Sequence, residues 1–70
     1  MTTDVTLYIG TAPNHAKFQF TDHDVWIGVR SQIINASQLG NGTIEIDNKG
    51  GKVVYVYSPF LPVSWVEAGA

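Results

Sequence analysis

The sequence predicts an all-β fold of five to six short strands with one short helical turn, and three observations support this. Apolar and polar residues alternate in several segments, which is typical of strands with one buried face. Glycine, proline, asparagine and aspartate separate these segments about every 8–12 residues. A single stretch has the apolar spacing of a helix. We therefore expect a small barrel, SH3-like or OB-like, or a compact sandwich.

The first two strands are predicted on either side of a loop. In strand A, residues 5–9, every second residue is aliphatic. Residues 10–15 contain Gly10 and Pro13, which interrupt the pattern. Strand B, residues 16–20, resumes the alternation with two phenylalanines on its apolar side. The loop therefore separates two half-buried strands.

A third strand is predicted after a tight hairpin connection at residues 21–24, where polar side chains can bond their own backbone. Strand C, residues 25–30, carries the β-branched residues Val25, Ile27 and Val29 on one face. We expect that face to be buried.

The helical spacing begins after strand C. Apolar residues between Ser31 and Leu39 are spaced like one or two helical turns, and Gly40 follows them. Glycine is the commonest residue just beyond a helix, because it adopts positive φ without strain. A short helix or 3₁₀ turn is predicted here.

The last three strands include the clearest hairpin of the chain. Strand D, residues 43–47, and strand E, residues 52–57, flank a loop with two glycines. Strand E is apolar on both faces, so a single covering layer would leave either its tyrosines or its valines exposed. After a proline-stiffened connection, residues 63–67 are predicted as an edge strand. Residues 68–70 are predicted to be a frayed tail.

Length and composition predict one small domain, residues 1–70, that associates with itself or with another protein. A core of this size seldom supplies more than about 3–5 kcal/mol, and there is no cysteine for a disulfide. Hydrophobic residues make up 44% of the chain and charged residues only 14%, so copies repel one another weakly. The formal charge of −2 provides no basic field for duplex DNA. Self-association is the simplest source of extra stability.

The aromatic residues suggest a binding surface. If strands A, C and E are neighbours, their rings could form a platform with Arg30 at its edge. The candidate binding residues are Tyr8, Trp26, Arg30, Tyr55, Tyr57 and Trp65. The competing interpretation is that these rings complete the core or a contact between copies. We expect Trp26→Ala to weaken association by about 2 kcal/mol or more.

The patterns of catalytic and metal sites are weak in this chain. Asp22 and Asp24 flank His23, but in a strand or tight turn the histidine points away from both carboxylates. No serine stands in a nucleophile elbow, and the glycine pair precedes a strand rather than a helix. We therefore expect no enzyme activity, no metal site and no cofactor.

The predicted function is a non-catalytic interaction or assembly module that acts as an oligomer or docked on a larger partner. The alternative is a small β-barrel that binds single-stranded nucleic acid or a sugar through the aromatic platform. Compact proteins of viral or mobile-element origin often have this composition, although no motif compels that origin. No signal peptide or membrane span is predicted, which favours a cytoplasmic or virion-associated location. The sequons at Asn35 and Asn41 are common chance matches in such a chain.

Overall fold

The computed structural model describes residues 2–11, 13–48 and 50–68, which form five strands and one helix. In chain order, the elements are β1 (Thr2–Ile9), β2 (Ala16–Asp22), α1 (His23–Leu39), β3 (Gly42–Asn48), β4 (Gly51–Tyr57) and β5 (Val63–Ala68). All strand pairs are antiparallel, in a three-stranded sheet ordered β2-β1-β5 and a two-stranded sheet, β3-β4. The chain is thus rich in strands, but neither sheet closes into the predicted barrel. The sandwich and the single domain stay predictions.

The first of two compact units contains the chain up to Trp26 and the chain from Phe60 onward. Its central strand, β1, pairs with β2 on one side and β5 on the other, which confirms β5 as an edge strand. Alternate residues of β1 are buried, as strand A predicted: Val5, Leu7 and Ile9. Because residues directly opposite on antiparallel strands share a face, Trp65 lies on the same face as Leu7. Ala68 ends β5, and the other two residues of the predicted tail lie outside the described residues.

The predicted strand C is wrong, because residues 25–30 belong to the 17-residue helix α1. The polar run before it is not a hairpin connection. Asp22 instead begins the helix as its N-cap, since its Oδ1 accepts hydrogen bonds from the backbone N–H of Asp24 (2.9 Å) and of Val25 (3.3 Å). These two bonds satisfy amides that would otherwise lack an intrahelical acceptor.

The buried side of α1 follows helical spacing instead of strand alternation. Trp26, Val29, Ile33 and Ala36 are buried, at intervals of three and four residues, whereas Val25 is 49% exposed. Of the three residues that strand C predicted to be buried, only Val29 is buried. Gly40 ends the helix as expected: its φ is +79°, and its N–H donates to the Ala36 carbonyl over 2.8 Å.

The second compact unit, Ile27–Pro59, contains most of α1 and the β3-β4 hairpin. Ile44 and Ile46 of β3 are buried, and so are three helix residues in this unit, Val29, Ile33 and Ala36. Gly42, with φ of +143°, lies so close to the helix that a Cβ placed on it would be 3.3 Å from the Ala36 Cβ. The hairpin predicted from strands D and E is confirmed.

Candidate interaction surface

The outer face of β4 carries two exposed valines. Val54 is 52% exposed and Val56 is 79% exposed. The other face of β4 is half-buried, because its residues lie opposite the buried isoleucines: Tyr55 pairs with Ile44, and Val53 pairs with Ile46. Strand E is therefore apolar on both faces and is covered on the tyrosine side. We call Val54, Val56 and the backbone edge beside them the β4 surface.

One edge of the hairpin is bridged by a helix side chain. The Gln32 amide accepts a hydrogen bond from the Glu45 N–H at 2.9 Å and donates one to the Glu45 carbonyl at 3.0 Å. Its two polar atoms therefore bind β3 as a neighbouring strand would. An amide in this position blocks one of the places where another chain could pair with β3.

The opposite edge of the hairpin belongs to β4. The backbone N–H and C=O of Glu45 both point toward Gln32 and therefore away from β4. Glu45 and Val54, which lies opposite it, are thus a non-hydrogen-bonded pair of the antiparallel ladder. The alternation of an antiparallel ladder then points the N–H and C=O groups of Lys52, Val54 and Val56 away from β3. No strand in the described part of the chain pairs with β4 on that side. The exposed valines thus lie along an open edge.

Three charged residues lie on the outer face of the hairpin, from near its turn to the middle of β3: Lys52, Asp47 and Glu45. The Lys52 Nζ lies 3.1 Å from the Glu45 Oε1, and both side chains are about half exposed. The hydrogen bond and the charge of Glu45, followed by the charge of Asp47, raise the pKa of Lys52 above its ordinary value. A raised lysine pKa means that this ion pair is complete at neutral pH and is lost only as the pH rises through that value. Val54 lies directly opposite Glu45, and Val56 continues the strand away from these charges.

Two of the predicted binding residues come together, but inside the first unit. The Trp26 ring is fully buried between the rings of Phe20 and Trp65, with centroid distances of 5.3 and 5.4 Å. Trp65 is half-buried, and its Nε1 donates to the Glu67 Oε2 over 2.8 Å. Trp26 therefore offers no face for stacking on a ligand. It holds the first helical turn against a partner ring on β5.

Tyr8 lies on the other face of the same sheet. It alternates with the buried residues of β1, and its ring contacts His15 edge-on, with the centroids 5.1 Å apart. Its strand neighbours across the sheet are Lys17 on β2 and Ser64 on β5, both exposed. Tyr8 and Trp65 thus belong to opposite faces and do not form one platform.

The remaining predicted residues lie in the second unit. Arg30 is half-buried on α1, and Tyr55 and Tyr57 are half-buried on the covered face of β4. The arrangement in which strands A, C and E were neighbours is not present, because C is helical and β1 and β4 belong to different sheets. Ligand binding by these six residues stays a prediction.

Sequence reasoning named the tyrosines of β4 and missed its valines as candidate binding residues. A usable signal was the two-residue loop, residues 49–50, which sets Asn48 opposite Gly51 and fixes the register of the hairpin. In that register Ile44 shares a face with Tyr55. Because the isoleucines are the more apolar set of β3, the tyrosine face is the covered one and the valine face the exposed one.

Comparison with protein-family models matches no family, and comparisons with curated proteins and with solved structures find no significant similarity. Among the described residues, no helix is both long enough and apolar enough to cross a membrane.

Proposed function

We propose that this chain is a non-catalytic assembly module that associates with further copies of itself through exposed strand surface. The observation that carries the proposal is the β4 surface. Val54 and Val56 are exposed β-branched residues on a strand whose outward edge has no partner among the described strands. An exposed apolar edge strand is a template for pairing with another chain.

The energetics of a small chain support the same proposal. Among the described residues ten hydrophobic side chains are buried, five in each compact unit. A partner that binds the folded chain and not the unfolded chain raises the apparent free energy of unfolding by mass action. The gain is about 2.7 kcal/mol when the free partner is at 100 times its Kd. That gain is comparable with the roughly 3–5 kcal/mol that one small core provides.

A catalytic role has no support from the described geometry. The Ser37 hydroxyl donates to the carbonyl of Ile34 in its own helix, over 2.7 Å, an ordinary helical contact. The imidazole ring of His15 contacts the ring of Tyr8 edge-on, and not a serine or threonine hydroxyl. The alternative of a nucleic-acid or sugar binder loses its main support, because Trp26 is buried and the other rings are divided between opposite faces and different sheets.

Light scattering coupled to size exclusion tests the proposal over protein concentrations from about 10 μM to 1 mM, the range expected for a small, weak interface. We expect the mass of the wild-type chain to rise toward twice the monomer mass. Val56→Lys adds a charge to the exposed apolar strand and weakens association at least tenfold. Thr43→Lys is the matched control, since Thr43 is exposed, lies directly opposite Val56 and belongs to β3.

A wild-type chain that stays monomeric at 1 mM would refute self-assembly. Equal weakening by the two lysine substitutions would also count against the proposal, because it would show a general effect of charge.

A further inference from the structure

We infer that two copies of this chain pair antiparallel along β4, centred on Val54, to form a continuous four-stranded sheet. This inference rests on the proposed function and names its partner and its contact. The sheet would run β3-β4-β4-β3, with the outward N–H and C=O groups of Lys52, Val54 and Val56 as the hydrogen-bonding groups. Antiparallel pairing of the same strand is isologous, so the two copies use the same surface and the contact closes.

Charge favours antiparallel over parallel pairing, and Val54 is the middle one of the three residues whose backbone groups point outward. Lys52 is the only charged residue of β4. A parallel, in-register pair would place Lys52 opposite Lys52 of the second copy, and like charges directly opposite are destabilising. Centring the antiparallel pair on Val54 places Lys52 opposite Val56 of the second copy and Val54 opposite Val54. No like charges then face each other on the paired strands.

The same register covers the exposed apolar surface. On the outer face, Val54 packs on its copy, and the aliphatic stem of Lys52 lies over the most exposed valine, Val56. On the other face, Val53 lies opposite Tyr55 of the second copy, a β-branched and aromatic pair of the kind that stabilises sheets. Each exposed β-branched residue of β4 therefore gains an apolar neighbour.

β4 is the least protected of the described sheet edges. Gln32 bridges β3, Lys17 lies within β2, and Glu67 lies near the end of β5. Charged residues and capped positions discourage strand addition. Residues 53–56 of β4 and 63–66 of β5 both lack charge, proline and bulge, but the β4 run consists of valines and one tyrosine, whereas the β5 run contains Ser64. One strand pair buries less than the roughly 1,200 Å² of a standard interface, so we expect a weak dimer, with Kd on the order of 100 μM.

Single cysteines test the register, because the chain contains no cysteine of its own. In the inferred dimer, the two copies of residue 54 form a hydrogen-bonded pair with Cα atoms about 5.5 Å apart, within disulfide range. The copies of residue 56 lie about 14 Å apart, beyond that range. Under oxidised glutathione, Val54→Cys therefore cross-links with itself and Val56→Cys does not. Lys52→Cys mixed with Val56→Cys gives a mixed dimer.

Val66→Cys is the matched control, since Val66 is 58% exposed and lies on the edge strand β5. Cross-linking of Val54→Cys at least fivefold above the Val56→Cys and Val66→Cys variants supports the inference. Equal cross-linking of all three variants reports random collision and overturns it. Far-UV circular dichroism verifies that each variant is folded, and the mixed-dimer experiment gives an independent reading of the register.

The two proposals fail in different ways. If light scattering shows a dimer but only Val66→Cys cross-links, self-association stands and the β4 contact is wrong. If the wild-type chain is monomeric at 1 mM, the proposed function fails, and the β4 contact fails with it. A monomer that binds an extended peptide of another protein along β4 also overturns the second-copy assignment.

Discussion

Replacing Gln32 with methionine tests the amide bridge between α1 and β3. Methionine has nearly the same length and helix propensity as glutamine but cannot form either hydrogen bond to Glu45. Gln38→Met is the matched control, since Gln38 lies exposed on the same helix. Any effect shared by both variants reflects helix propensity or surface hydrophobicity.

The expected loss follows from the two bonds at 2.9 and 3.0 Å. Each contributes about 0.5–1.5 kcal/mol net. Glu45 is exposed, so water can reach its backbone groups after the substitution, and the penalty for a buried unsatisfied group does not apply. The two bonds together contribute about 1–3 kcal/mol, and because water replaces them we expect Gln32→Met to lower the free energy of unfolding by the lower part of that range, about 1–2 kcal/mol.

Urea unfolding followed by far-UV circular dichroism measures this loss. With an m-value of about 1 kcal/mol/M, the midpoint should fall by about 1–2 M in Gln32→Met and hardly change in Gln38→Met. The reasoning is refuted if the two variants unfold at the same urea concentration.

Three further substitutions have expected outcomes that the same urea experiment can measure. Asp22→Ala removes the acceptor of the two N-cap bonds and should cost about 1 kcal/mol, whereas Asp22→Asn should cost less than half of that; equal losses would contradict the capping role. Trp26→Ala should lower the free energy of unfolding by about 3–5 kcal/mol and abolish the cooperative transition. Trp26→Phe should still fold, because it keeps a buried ring and removes an indole N–H that has no acceptor in the described structure. Gly28→Ala should stabilise by about 0.8–1 kcal/mol, because a Cβ at this exposed helical position meets nothing within 4 Å; a loss would show that the site is not an ordinary helix interior.

The strands of this chain could be predicted because their signals were local. Strand A alternates aliphatic residues without exception, and the β3-β4 hairpin has a short glycine-containing loop that sets its register. The edge position of β5 followed from the prolines before it. Such patterns depend on neighbours in sequence, and the structure preserves them.

The helix was only half predicted, because two patterns coincide in its first turns. Val25, Ile27 and Val29 alternate like a strand and are β-branched, which favours strand by propensity. The same segment carries Trp26 and Val29, the beginning of the helical series that continues to Ala36. Asp22 at the N-cap position was the deciding signal, and it was interpreted as part of a turn. The N-cap and the buried apolar stripe override the residue propensities here.

The error in the helix carried over to the candidate site. Trp26 and Arg30 were placed on a strand beside the other aromatic residues, and the structure places them on α1. The expected effect of Trp26→Ala on association changes accordingly. A fully buried ring stabilises the fold itself, so its loss should unfold the chain before it weakens any contact between copies.

The Gln32 bridge also has a consequence for how far the inferred strand pairing would grow. A filament needs every unit to offer two edges, one for the copy before it and one for the copy after it. In the inferred dimer, pairing along β4 uses one edge of each hairpin, and Gln32 occupies the Glu45 position on the other edge, which disfavours growth beyond two copies. Loss of this amide would expose a second position for strand addition on the same hairpin, and the inferred contact would then have a route to fibrous aggregates.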